Sequence, residues 1–158
     1  MYISIDPAGT SITACFLFWS FKRWEFICFE SKNWWQHVFF IEELVAKYRT
    51  EIECVAYEEN PIIVKFSNVH FHHLIKSVAG MELYLIRNHI NKQSMFSPWN
   101  ARAKKLLSEK GIAGIKKNSK NQWVFKNQKV LNKHELDALV QFYALWTRIL
   151  KNKWPFSD

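Results

Sequence analysis

At 158 residues, with 49% hydrophobic and 16% aromatic side chains against four glycines and four prolines, the chain suits one well-filled core and excludes a disordered, repetitive or two-lobed protein. No apolar run reaches bilayer length and no basic segment precedes a cleavage site, so a cytosolic protein is expected, with Cys15, Cys28 and Cys54 as buried thiols. The net charge of +8 is lopsided: residues 1–91 hold eight Lys/Arg against ten Asp/Glu and residues 92–153 fourteen against three, the footprint of a chain lying along a polyanion.

The opening stretch MYISIDPAGT reads as a short buried strand, Tyr2–Ile5, that ends on Asp6 and breaks into Pro7-Ala8-Gly9-Thr10. A carboxylate ending a central strand stands at the sheet rim, held rigidly yet open to metal or substrate. Taken alone, the tetrad reads first as ordinary turn chemistry. Residues 11–19 and 22–29, rich in β-branched and aromatic side chains, predict an antiparallel meander with the first strand. Over 34–48 the period turns helical, with Trp34, Val38, Ile41, Val45 and Tyr48 at steps of three and four. Ile52–Tyr57 is a fourth strand, and it too ends on an acid, Glu58, followed by Glu59. Strand, helix, strand gives parallel neighbours. Paired with the first strand, the fourth sets Asp6 and Glu58 roughly 5 Å apart. Two carboxylates that close call for a proton or a cation between them, and oxygen ligands suit Mg²⁺; a solvated loop start is the alternative for Glu58 and Glu59.

A second helix is predicted from Ser67 to about Asn88, with Leu74, Val78, Met81 and Leu85 on one side. Gly80 within it demands a close neighbour. His70, His72 and His73 cannot share one helix face and lack the partners of a zinc site, so they read as packing or phosphate-contacting residues. The preceding linker, Asn60–Phe66, is apolar for a loop; it packs under the helix or supplies a wedge between base pairs. Ser94–Phe96 is a fifth strand, and Ser97-Pro98 opens a helix from Trp99 to Ser108 bearing Arg102, Lys104 and Lys105. Ile112–Leu131 is basic and near the surface, either a hairpin around Lys126–Gln128 or a strand and coil. Trp99, Trp123 and Phe125 lie among these lysines as surfaces on which bases stack. Asn132 caps the last helix in a capping box with Glu135, and Leu136, Leu139, Tyr143, Trp146 and Leu150 form its core stripe. His134 and Asp137, three apart, share a face of its first turn. An acid there complements the helix dipole; with a histidine it also makes a metal-ligand pair with proton-shuttling capacity.

Taken in order, SIDPAGT, VAYEE and KHELDAL resemble the RuvC-type Holliday junction resolvases of the RNase H-like superfamily. Members show a strand ending in Asp-Pro-Gly, a later strand ending in Glu, and a C-terminal helix opening with two metal-binding residues three apart before Ala-Leu. The resemblance spans the chain and implies one α/β domain over 1–158. Its five-stranded mixed sheet would have the first three strands antiparallel, the fourth and fifth parallel to the first, and helices on both faces. It implies an endonuclease resolving four-way DNA junctions in recombination, repair or replication, with Asp6, Glu58, His134 and Asp137 as catalytic residues around two Mg²⁺ ions, Mn²⁺ substituting. DNA contacts are expected at Lys65, Phe66, Arg102, Lys104, Lys105, Lys116, Lys117 and Lys120. Symmetric cutting of a four-way junction calls for a two-fold homodimer, with the helix over 68–88 as candidate surface. A viral or phage source fits as well as a cellular one.

Three features depart from the pattern, one of them the family's Gly-rich, phosphate-gripping segment after the fifth strand, which Lys104, Gly111, Ala113 and Lys116 echo only in part. Ala8 stands where the family has glycine, with Gly9 following, and His134 stands where aspartate is commoner, so it either ligates metal or orients or protonates an oxygen. Rival readings are another RNase H-like nuclease acting on RNA or different branched DNA, and a non-catalytic junction-binding protein. Asp-x-x-Gly-Thr also resembles the phosphate loop of sugar kinases and actin-like ATPases, whose second lobe does not fit this length.

Overall fold

Strand alternation in the first sixty residues dictates two unlike layers. In the computed structural model, which describes residues 1–58, 69–95 and 97–157, β1 (Tyr2–Asp6), β2 (Ile12–Ser20), β3 (Arg23–Glu30), β4 (Cys54–Glu58) and β5 (Lys92–Met95) form one sheet in the order β3-β2-β1-β4-β5. The first three are antiparallel, while β1–β4 and β4–β5 are parallel, the topology expected from the sequence. Ile3 and Ile5 of β1, Cys15 and Leu17 of β2, and Val55 and Tyr57 of β4 face α1 (Trp34–Tyr48) and α2 (Val69–Arg87). On α2, a Cβ at Gly80 would lie 2.9 Å from Val38 Cγ2; the neighbour that Gly80 demanded is α1.

The opposite face meets the sheet differently. Ser4, Ala14 and Ala56 are small and fully buried there, so α4 (Lys133–Ala144) sits close to the backbone. It is flanked by α3 (Ser97–Glu109) and by a second, three-stranded sheet of β6 (Ile115–Lys117), β7 (Trp123–Phe125) and β8 (Lys129–Val130). With layers on several sides, α4 buries Ala138, Leu139, Val140, Gln141, Phe142 and Ala144. Of the stripe expected from periodicity only Leu139 is fully buried, while Leu136, Tyr143, Trp146 and Leu150 are half-buried at the border of the core. A π-helical turn, Leu145–Ile149, continues α4.

Between the two alternatives for 112–131, the hairpin is the one found. Lys126 and Asn127, both left-handed with φ of 52° and 59°, lead its three-residue turn, which the Gln128 N–H closes on the Phe125 carbonyl at 3.0 Å. Phe125 corrects another expectation. It is completely buried and packs 4.7 Å from Trp24 and 4.8 Å from Phe156, centroid to centroid, so it is core and not a base-stacking surface. Trp123 remains half-buried, with Lys117 Nζ 5.3 Å above its ring. Cys15 and Cys54 are buried as expected, but Cys28 is exposed, because β3 is an edge strand. Among the described residues, no helix is long and apolar enough to cross a membrane.

Candidate active site

The parallel register Ile5↔Tyr57 puts the ends of β1 and β4, Asp6 and Glu58, at one rim of the sheet. Asp6 has only 16% of its side chain exposed. Burial lifts its carboxyl from the ordinary 3.8 to about 6, with the charges of Asp137 and Glu58 adding to the rise and His134 opposing it. Asp6 thus registers both other acids expected at the site.

α4 brings its pair to the same rim through local chemistry. Asn132 Oδ1 accepts from the Glu135 N–H, and the Asn132 N–H donates to Glu135 Oε2, both at 2.9 Å, closing the expected capping box. Glu135 is itself buried and held by Lys129 Nζ of β8 at 3.0 Å. On the turn so fixed, His134 Nδ1 lies 2.8 Å from Asp6 Oδ2 and Asp137 Oδ1 lies 2.9 Å from Lys104 Nζ of α3. Among the described residues, His134 Nε2 has no hydrogen-bond partner.

Gln141, one turn beyond Asp137 on the same side of α4, locks the helix to the strands beneath. Its Nε2 lies 3.0 Å from Ser4 Oγ, 2.9 Å from the Ile5 carbonyl and 3.2 Å from the Ala56 carbonyl. A slip of α4 along β1 would strand these buried groups. Gln141 has no place in the sequence motifs, and only a polar residue amid an apolar helix marks it.

A cleft of about 320 Å³ opens here, lined by Asp6 through Ser11, by His70, Phe71 and Leu74 of α2, and by Lys133, His134 and Asp137. Its loop is held from behind. The Ala8 N–H donates to Thr13 Oγ1 at 3.0 Å, the Thr13 hydroxyl meets His37 Nδ1 at 2.9 Å, and His37 Nε2–H donates to the Ser31 carbonyl at 3.0 Å. Burial lowers the pKa of His37, consistent with the neutral ring that this chain of bonds uses. Gly9 explains the displaced glycine of the motif: a Cβ there would overlap Leu74 N and the His73 carbonyl carbon. The close approach of α2 falls on Gly9, leaving room for a methyl at Ala8.

Asp6, His134 and Asp137 are therefore brought together, with Glu58 beside them at the rim. His70, Lys133 and Lys104 join them. His70 Nδ1 is 2.8 Å from Thr10 Oγ1, which draws one of the three α2 histidines to the cleft. Lys104, expected as a DNA contact, stands 2.9 Å from Asp137. Arg102, Lys105, Lys116, Lys117 and Lys120 are exposed, with Lys105 3.7 Å from Glu109. Glu59, the linker Asn60–Phe66 with Lys65 and Phe66, and the end of the expected fifth strand at Phe96 lie outside the described residues.

Among the described residues, no three His, Cys, Asp or Glu side chains stand close enough to enclose a metal ion as they are placed. The donor chemistry nonetheless fits a hard divalent cation. Asp6, Glu58 and Asp137 offer carboxylate oxygens at one rim, the charges of Glu58 and Asp137 add to the raised proton affinity of Asp6, and Asp137 and Asp6 already hold a cationic or protonatable partner in Lys104 and His134.

Most of the chain is similar in fold to Thermus thermophilus RuvC. The T. thermophilus RuvC structure in complex with a Holliday junction substrate matches with a TM-score of 0.61 at 10% identity, over 94% of this chain and 94% of that one. The fold is RNase H-like. A second Thermus thermophilus RuvC structure gives a TM-score of 0.59 at 13% identity, over 96% and 98% of the two chains. Residues 100–158 match the family model for the Replication Fork Protection Component Swi3, a stretch running from α3 through the small sheet to the end of the chain. No curated protein sequence matches.

Proposed function

We propose that this chain is a metal-dependent endonuclease that cuts branched DNA, with the four-way junction as its substrate. The observation that carries the reading is the meeting of Asp6, His134 and Asp137 in one cleft, with the Glu58 charge felt at Asp6. Asp6, Glu58 and Asp137 would hold Mg²⁺, which when bound supplies a nucleophile from water and charge stabilisation at the attacking and leaving oxygens. Asp6 is centrally placed for this, buried and fixed by β1. His134, oriented through Nδ1 by Asp6, keeps Nε2 for substrate, where it orients an oxygen or moves a proton near neutral pH. Lys133, His70 and Thr10 line the wall and present donors to phosphate oxygens. Lys104, 2.9 Å from Asp137, would be released to a phosphate oxygen once a cation held Asp137.

A homodimer accords with cutting two strands symmetrically. The outward side of α2 offers the surface, with Ile75, Leu83 and Ile86 exposed at 37, 48 and 53%. A second reading, a branched-DNA-binding protein without chemistry, is favoured by the match of 100–158 to a fork-protection family model. One assay separates the two: cleavage of a synthetic four-way junction in Mg²⁺, against linear duplex and an RNA–DNA hybrid, with Asp137→Asn as control. Junction cutting that vanishes in the variant supports the nuclease; tight binding with no cutting in Mg²⁺ or Mn²⁺ supports the binder.

A further inference from the structure

We propose that a groove on the small β-sheet, lined by Lys110, Lys116 and Lys126, holds the phosphate backbone of a second DNA arm, distinct from the arm in the cleft. The inference rests on the branched-DNA reading and extends it.

Charge bookkeeping in the fold points there. Of the fourteen basic residues in 92–153, Lys104, Lys105 and Lys129 neutralise the three acids of that stretch, Asp137, Glu109 and Glu135. Lys92 pairs with Glu82 at 2.7 Å. The other ten make no ion pair among the described residues. Three of them, Lys110, Lys116 and Lys126, converge on a groove of about 490 Å³ whose walls contain no acid. Its floor is the turn Gly111–Gly114, where both glycines are left-handed, at φ of 76° and 81°. Nothing lies within 4 Å of where a Cβ at Gly111 would stand, so bare backbone faces the groove and a bulky polyanion can approach it.

A second, adjoining groove of about 300 Å³ shares Lys110 and adds Arg102, Lys105 and Arg148. Its one acid, Glu109, is already paired with Lys105. The two grooves make a continuous cationic track that shares no residue with the cleft. α3 divides them. Lys104 reaches the cleft at Asp137 and Lys105 lines the outer track, as consecutive residues about 100° apart on a helix must. A duplex in the cleft leaves the track uncovered. Two arms diverging from a branch point would straddle α3 and occupy both. Repeated ammonium groups without acid partners among the described residues, over a glycine floor, read backbone charge without sequence.

The test compares the full chain with the triple variant Lys110→Ser/Lys116→Ser/Lys126→Ser and the charge-keeping Lys→Arg triple, each checked for an unchanged melting temperature. Fluorescence anisotropy without divalent ions measures binding to a four-way junction and to a linear duplex of one arm's length, across a salt series. Three lost phosphate contacts should lower the slope of log affinity against log salt by about 2.7 and weaken junction binding on the order of 100-fold at ~0.15 M salt. The duplex should lose under tenfold and the arginine triple should bind as the parent does. Unchanged slope and junction affinity overturn the proposal, as does equal loss on both DNAs. Loss of phosphatidylserine-vesicle binding with junction binding intact overturns it in favour of a membrane surface. If the parent shows no preference for the junction over the duplex, the branched-DNA reading fails instead, while the salt slope still reports whether the groove takes phosphates.

Discussion

Replacing Asp6 by asparagine should abolish cutting and stabilise the protein. In the fold the carboxyl titrates at about 6 instead of 3.8, so the folded chain holds this proton more tightly than the unfolded one. Stability from this group is then complete below about pH 4 and is lost as pH rises through about 6. A gap of about two units at ~1.36 kcal/mol each amounts to about 3 kcal/mol at neutral pH, and the side chain is too buried for solvent to screen much of it. Asparagine keeps the shape and drops the charge. At ~2–4 °C per kcal/mol for a domain of this size, the variant should melt roughly 5–10 °C higher at pH 7.5, with the gap closing towards pH 4. Thermal melts at pH 4, 5, 6 and 7.5 read this directly. Mg²⁺ should raise the midpoint of the parent protein and leave the variant nearly still, because a ligand stabilises only the state that binds it. A variant no more stable at pH 7.5, or a gap that ignores pH, refutes the account of Asp6 as a carboxylate crowded by its neighbours.

Three further outcomes are expected. Gln141→Leu removes the buried hydrogen bonds to the Ser4 hydroxyl, to two strand carbonyls and from Asn100 Nδ2 and should cost about 1–3 kcal/mol in urea unfolding, with cutting reduced more than DNA binding as α4 loses its register. Gly9→Ala should lose Mg²⁺-dependent cutting and melt lower, because its methyl meets the backbone of α2, whereas Ala8→Gly should retain both to within a few tenths of a kcal/mol. Leu83→Asp with Ile86→Asp should convert a dimer to a monomer in light scattering while leaving the melting temperature within a few degrees; a parent that is already monomeric removes the dimer proposal.

Much of this fold could be read from the chain because its signals are local. The two strands ending on acids, the meander, and the Asn132–Glu135 box each depend on residues near in sequence, and they fix the rim on which Asp6, Glu58, His134 and Asp137 stand. What periodicity missed depends on contacts made at long range. α4 reads as one stripe, but a helix pressed between a sheet, another helix and a small sheet is buried almost all round. Phe125 sits among lysines in sequence and among Trp24 and Phe156 in space, so its neighbours in the chain misrepresent its surroundings. His70 and Lys104 joined the site because α2 and α3 pack against it, a fact with no signature in either helix alone.

Lys104 yields the sharpest remaining test. Three carboxylates at one rim repel, and in this arrangement Lys104 Nζ takes up the charge of Asp137 at 2.9 Å. Any divalent ion must therefore compete with an internal ammonium for Asp137 before it can bind. Lys104→Met keeps the length of the side chain and removes the competitor. Without metal the variant should melt slightly lower, since Asp137 loses its partner and presses harder on Asp6. With metal the order reverses, and the Mg²⁺ concentration giving half-maximal stabilisation should fall about two- to fivefold, the worth of a partly exposed ion pair. Calorimetric titration with Mn²⁺ provides the same comparison without catalysis. A variant needing more metal than the parent would mean that Lys104 helps to assemble the ion site instead of standing in for it, and the assignment of Asp137 as a ligand held in reserve would fall.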